Sequence, residues 1–266
     1  HHYLSVLPLT TMAVLFLGGS FLWAALRTVA SLVNTRRLLQ QSRGYAPGRH
    51  PKLDAVLARP DFRRVQLRLL DTTRLLAFTV GLWRPQIVLS ERMISSLSDE
   101  ELRAVLFHEL GHVRSRDPLR LAVVRFLADA LWFLPVARSL ARDFVDAVEE
   151  GADDWAVGAT RQPVDLAAAL VKTAKADVSW AIPLASSLAG NVSVEDRVER
   201  LLGIRVKRRS STTMHRWVSS GLISLLLFSL LMLPLDSGEA ASRRAMQEAM
   251  MRMPMMACPV SMRQGR

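Results

Sequence analysis

No charged side chain occurs between Tyr3 and Leu26. A run of that length and character is read as a helix, because only a helix satisfies its own backbone where water is absent. It is long enough to cross a bilayer. It is too long for an ordinary cleaved signal peptide and lacks the basic front end of one. A buried core helix is the competing reading, disfavoured by the length. Arg36, Arg37, Arg43, Arg49 and Lys52 come after the run, and no Lys or Arg precedes it. The positive-inside rule therefore places the chain beyond Leu26 in the cytoplasm.

A second uncharged run, Trp217 to Leu235, is preceded by Arg205, Lys207, Arg208, Arg209 and Arg216. Trp217 suits an interfacial anchor. The expected organisation is a membrane helix and flank over residues 1–34, a cytoplasmic domain over 35–216, a membrane helix over 217–235 and an extracytoplasmic tail over 236–266. The expected location is the inner membrane, multi-pass. The net charge of +11 and the 50% apolar content fit this plan. Excess positive charge also suits nucleic acid, but no helix-turn-helix, zinc-finger or RNA-binding signature is present. The basic residues flank apolar runs, so anionic headgroups are the better partner. The single cysteine, Cys258, excludes an intramolecular disulfide and a Cys₄ zinc site.

Between the two runs lies Phe107-His108-Glu109-Leu110-Gly111-His112, an H-E-x-x-H pattern. Ser98 and Glu101 form a capping box ahead of an apolar-periodic stretch, Leu102, Val105, Leu106, Leu110. A helix starting near Asp99 carries His108 and His112 one turn apart on one face. Two imidazoles so spaced can grip one Zn²⁺, with Glu109 beside them to take a proton from water and hand it to a leaving amine. The bland alternative is a surface histidine pair. A catalytic zinc wants a third protein donor. The acidic stretch Val148 to Ala156 supplies Glu149, with Asp153 one turn on as an outer carboxylate that orients a histidine. Shifted by one residue, Glu150 and Asp154 would take those parts. Glu149 is preferred because Ala152 then precedes the aspartate. Taken alone, the acidic cluster would be a solvated helix face.

This ordered string resembles the BlaR/MecR-type membrane metallopeptidases, the antirepressor family of β-lactam sensor-transducers. The likeness runs from Ala77-Phe78-Thr79-Val80-Gly81-Leu82 through Pro85 to Ser90, Leu97 to Leu102, His108 to Val113, Arg116-Asp117 and the Glu149-to-Asp153 motif. It covers roughly residues 35–205. The resemblance implies an α+β, mainly helical, zincin-like (gluzincin) metallopeptidase domain with a small β-sheet, flanked by transmembrane helices. It implies one Zn²⁺ per chain on His108, His112 and Glu149, with Glu109 as general base.

Three strands are expected, over Val65 to Leu69, Ala77 to Leu82 and Gln86 to Leu89. Residues 44–60 read as a loop or short helix. Zincin-type peptidases present an edge strand to which a peptide adds, and residues 77–82 are the candidate. An ordinary sheet strand is the alternative. Leu119 to Val136 is apolar but holds Arg120, Arg125 and Asp129, so it reads as a helix packed in the domain, skimming the membrane at most. Asp117 is either an outer carboxylate or a helix N-cap, and the cap is the safer role. Helices are expected near 140–160 and 163–177. Related gluzincins carry a His-Pro-led segment ending in a functional Arg. Here Asn191 stands at the histidine and Arg197 at the arginine, two candidates for stabilising an oxyanion. A surface charge is the alternative for Arg197.

No S-x-x-K motif occurs beyond Leu235, so a β-lactam-sensing role is not expected. Six methionines lie between Met246 and Met256, with Cys258 and Met262 just beyond. Soft donors select Cu(I)-like ions, so a soft-metal or oxidant sensor is one reading of the tail. A disordered tail without a role is the other. The expected function is a membrane zinc endopeptidase that cleaves a cytoplasmic protein, a transcriptional repressor by resemblance, with no direct nucleic-acid contact. A quality-control peptidase is the alternative. A non-catalytic sensor is a further one, against which the intact His108, Glu109, His112 and Glu149 argue.

Overall fold

The structure is a computed structural model that describes residues 2–176, 194–204, 217–226, 229 and 246–247, the side chains of 2–10 and 176 excepted. Asn191 and nearly all of the methionine-rich tail lie outside the described residues. The chain divides into two compact units, residues 18–220 and residues 1–17 with 221–266. The fold is mostly helical, with one small mixed sheet.

Helix α1 (His2–Gln41) is continuous and runs past residue 34, well beyond the charge-free run that ends at Leu26. Its stretch Thr11–Gln41 is long and apolar enough to cross a membrane. The reason for the extension is packing. Leu38 and Leu39 lie against a cluster of Leu70, Leu76, Phe78, Val80 and Val88 on one face of the sheet. The helix Trp217–Leu226 is apolar as far as it is described.

The sheet contains β1 (Arg43–Gly44), β2 (Gln66–Leu70), β3 (Ala77–Val80) and β4 (Gln86–Ser90), in the order β1-β2-β4-β3. β2 runs parallel to β4, and β3 antiparallel to it with Thr79 opposite Ile87. Among the described residues β3 is thus an edge strand. It ends at Val80 rather than Leu82 because Gly81 has φ 104°, and a Cβ there would stand 2.6 Å from the Arg84 carbonyl oxygen. Only glycine fits that turn. Between β1 and β2, where a loop or short helix is expected, lie α2 (Pro51–Leu57) and a 3₁₀ turn, Pro60–Phe62.

Five further helices follow among the described residues: α3 (Glu91–Ser96), α4 (Asp99–Ser115), α5 (Asp117–Ala130), α6 (Pro135–Thr160) and α7 (Pro163–Ala176), with the short α8 (Val194–Leu201) after them. α4 begins as the capping box predicts: Ser98 accepts from the Glu101 N–H, and the Glu101 carboxylate accepts from the Ser98 N–H. It is the central helix. Leu102, Leu106, Phe107 and Leu110 are fully buried and join Ile87 and Leu89 of the sheet in the main core. Each such side chain contributes roughly 1.5–3 kcal/mol of burial. α6 and α7 cover the rest of α4, with Ala156, Leu166 and Ala169 in the same core.

Candidate metal centre

The two histidines sit on the face of α4 turned toward α6. α6 reaches it closely because Gly111 offers no side chain. A Cβ at Gly111 would lie 3.2 Å from the Ala152 Cα. This approach brings Glu149, one turn before Asp153, over the imidazole pair. His108 Nε2 lies 3.2 Å from His112 Nε2 and 3.6 Å from Glu149 Oε2. His112 Nε2 lies 3.8 Å from Glu149 Oε1. Donors held tetrahedrally about a zinc ion stand about 3.3 Å apart. The three groups fit that cation: two nitrogens and one carboxylate, converging, buried or nearly so, and able to hold a metal ion.

The far nitrogen of each ring faces a carboxylate. His108 Nδ1 is 3.0 Å from Asp153 Oδ1, and His112 Nδ1 is 2.9 Å from Asp117 Oδ2. Such partners leave Nε2 as the outward donor. Asp117 is the first residue of α5 rather than its N-cap, a position held by Arg116 in the left-handed conformation. Its second oxygen accepts from Arg120 at 2.9 Å. The safer of the two sequence readings is therefore replaced by the other contact, made because α5 turns back directly beside His112.

Asp153 is wholly buried. Arg197 of α8 donates to both of its oxygens, at 3.0 and 2.6 Å, and Arg200 donates to it at 3.2 Å. Arg197 also lies 2.9 Å from Glu149 Oε2. It is turned inward, unlike the surface charge that was the alternative. Glu150 and Asp154 are exposed and bind Arg200 at the rim, Glu150 through its carbonyl, so the shifted reading is not the one assembled.

The charges interlock. Burial works against a charged His108, yet Asp153 and Glu149 outweigh it and hold the imidazolium up to about 9 in the metal-free protein. Burial likewise opposes ionised Glu149, but His108 and Arg197 bring its carboxyl down to about 2. Asp153 is also held well below the usual carboxylate range, its burial outweighed by His108 and Arg197.

Glu109 points to the sheet side of the same space. Its Oε2 accepts from Thr79 Oγ1 of β3 at 2.7 Å. Thr79, Val80, His108, Glu109, Glu149 and Arg197 all line one cleft of about 640 Å³, and Leu32, Thr35 and Leu39 of α1 form part of its wall. The sequence marks Thr79 as part of the candidate substrate edge, not as a partner of Glu109, and does not mark Arg200. The alternation of β3 could have shown which face Thr79 shares, but not that α4 lies under it. Arg200, three residues after Arg197, shares its helical face, and that spacing was the available signal.

The model of the BlaR1 peptidase M56 family matches residues 6–201, most of the chain. The chain belongs to that family. No curated protein matches it. Membership implies a peptidase with a protein substrate, and zinc is the metal typical of the family.

Proposed function

We propose that this M56 member is a membrane-anchored zinc endopeptidase that cleaves a cytoplasmic protein, by resemblance a transcriptional repressor. The observation that carries the reading is the convergence of His108, His112 and Glu149 from α4 and α6, with Glu109 facing the same cleft. Zinc, when bound by those three residues, supplies a Lewis acid that polarises the scissile carbonyl and makes water easier to ionise.

The chain's own residues do the rest. Glu109 takes the proton of the attacking water and passes it to the amine nitrogen as the C–N bond breaks. Asp153 and Asp117 hold the two imidazoles in register. β3 offers its free edge, so a substrate segment adds as a further strand across the cleft. Arg197, 2.9 Å from Glu149, stabilises negative charge on the carbonyl oxygen once Glu149 is engaged elsewhere. α1 serves as the membrane anchor, the run at 217–235 as a second, with the gluzincin domain between them on the cytoplasmic side.

The test is co-expression with the repressor encoded nearest to this chain. Cleavage by the parent, absent with Glu109→Gln although that variant retains one zinc per chain, is the expected result. Equal cleavage by both would remove Glu109 from the role given to it.

A further inference from the structure

We propose that α5 and the start of α6 form a hairpin that enters the bilayer leaflet adjoining the catalytic unit, its turn at residues 131–134 lying among lipid acyl chains. The inference rests on α1 being a membrane span, and adds an embedded element that the sequence does not mark as a span.

The depth is set by contacts along α1. At its start, α5 shares the cleft wall with α1: Pro118 and Leu121 line it together with Leu32 and Thr35. Farther on, Asp129 is paired with Arg27 at 2.9 Å, and the Phe126 ring meets Phe21 edge-on with centroids 6.1 Å apart. Just past the end of α5, the Trp132 indole N–H donates to Ser20 at 3.2 Å. The hairpin therefore climbs α1 from the level of residue 35 to that of residue 20, about 20 Å at 1.5 Å per residue. Ser20 lies well inside the charge-free run that ends at Leu26. If α1 crosses a bilayer there, the turn is carried in with it.

The turn is built for that surrounding. It reads Leu131-Trp132-Phe133-Leu134 and is followed by Pro135, which has no N–H. A helix start normally leaves donors for water. Here the Val136 N–H donates to Ser220 Oγ at 3.0 Å, and the Ala137 N–H to the Leu134 carbonyl at 3.0 Å. The Leu131 N–H donates to the Leu127 carbonyl of α5 and the Leu134 N–H to the Leu131 carbonyl, each at 2.9 Å. Backbone at lipid depth has to be satisfied by protein in this way.

The hairpin's outer face is apolar where it is exposed: Val123, Leu127, Trp132 and Leu140 are about half accessible. Leu22, Trp23 and Leu26 of α1 are exposed as well. The charges at this level are accounted for. Asp129 is paired with Arg27, and Arg125 is buried. Arg138, exposed one turn below the tip, is long enough to reach headgroups, which limits how deep the turn goes. The metal centre, at the foot of α5, is thereby held close under the membrane surface.

The experiment uses the full chain with Cys258→Ser, carrying single cysteines labelled with an environment-sensitive fluorophore. The positions are Leu127→Cys and Leu140→Cys on the hairpin, Leu22→Cys on α1, and Glu100→Cys at the exposed start of α4. The protein is reconstituted in phosphatidylcholine–phosphatidylglycerol vesicles with or without doxyl-labelled lipid. Quenching at positions 127 and 140 at least half as strong as at 22, with none at 100, is expected. Quenching at 22 alone would overturn the hairpin and leave the α1 anchor standing. No quenching at 22, 127 or 140 would overturn both.

Discussion

Thr79 Oγ1 stands 2.7 Å from Glu109 Oε2, joining the edge strand to the group that is proposed to move the proton. The same hydroxyl is 3.1 Å from the Glu109 carbonyl, but it has one proton to give, and a carboxylate is the stronger acceptor. The contact aims the carboxylate across the cleft. Removing it in Thr79→Val is expected to lower kcat about tenfold, from about 1–1.5 kcal/mol of lost hydrogen bonding. KM and zinc content should stay near parental values, and Thr79→Ser should restore kcat. Steady-state kinetics with metal analysis of the three proteins checks this. A rise in KM with kcat unchanged would mean that Thr79 serves the strand and not the base.

The second prediction concerns Gly111. Its missing side chain is what allows α6 to bring Glu149 to the histidines. Alanine would gain about 1 kcal/mol of helix preference against the tight contact with Ala152, so its sign is balanced. Valine is the clearer probe: it adds branched bulk against a backbone atom and should cost about 1–3 kcal/mol. The expected outcome for Gly111→Val is a lower denaturation midpoint and weaker zinc binding together. Normal zinc affinity in a destabilised protein would separate packing from the metal centre.

The parts legible in the sequence are those set by local pattern. Ser98 and Glu101 mark the start of α4 because a capping box is a contact three residues long. The spacing of His108 and His112, and of Glu149 and Asp153, places each pair on one face by helical period alone. What was not legible depends on which elements meet. The expected membrane helix and flank end at residue 34, yet α1 continues to Gln41, where Leu38 and Leu39 lie against the sheet. β1 has two residues, too short for any periodicity. Arg197 on a short polar helix looks like a surface charge until Asp153 is seen buried beneath it. Asp117 looks like a cap because the sequence does not show that α5 folds back beside His112.

Asp153 gives the third prediction. Its carboxylate is enclosed by His108, Arg197 and Arg200, and removing its charge leaves those cations facing one another. Asp153→Asn should destabilise the fold by about 3–5 kcal/mol, the cost of breaking a buried pair from one side. Zinc affinity should fall about 10–100-fold as the His108 ring loses its partner. Glu150→Gln, exposed on the same helix, should change neither. Thermal melts and zinc titrations on the two variants make the comparison. Equal effects would return the shifted reading of the acidic stretch to contention.

The last prediction is a proton. His108 in the metal-free protein holds its charge up to about 9, because Asp153 and Glu149 outweigh its burial. Its folded value lies above the ordinary 6.5, so its contribution to metal-free stability is complete below about 6.5 and is lost as pH rises through about 9. A zinc ligand must be the neutral imidazole, so binding has to expel that proton. Between pH 7 and 9, apparent zinc affinity should rise by up to about tenfold per unit on account of this group, then level off. Calorimetric titration at pH 7.5 in buffers of different ionisation enthalpy should show close to one proton released per zinc from His108. A buffer-independent heat would mean that the imidazole is already neutral, and that the carboxylates around it act on geometry rather than on charge.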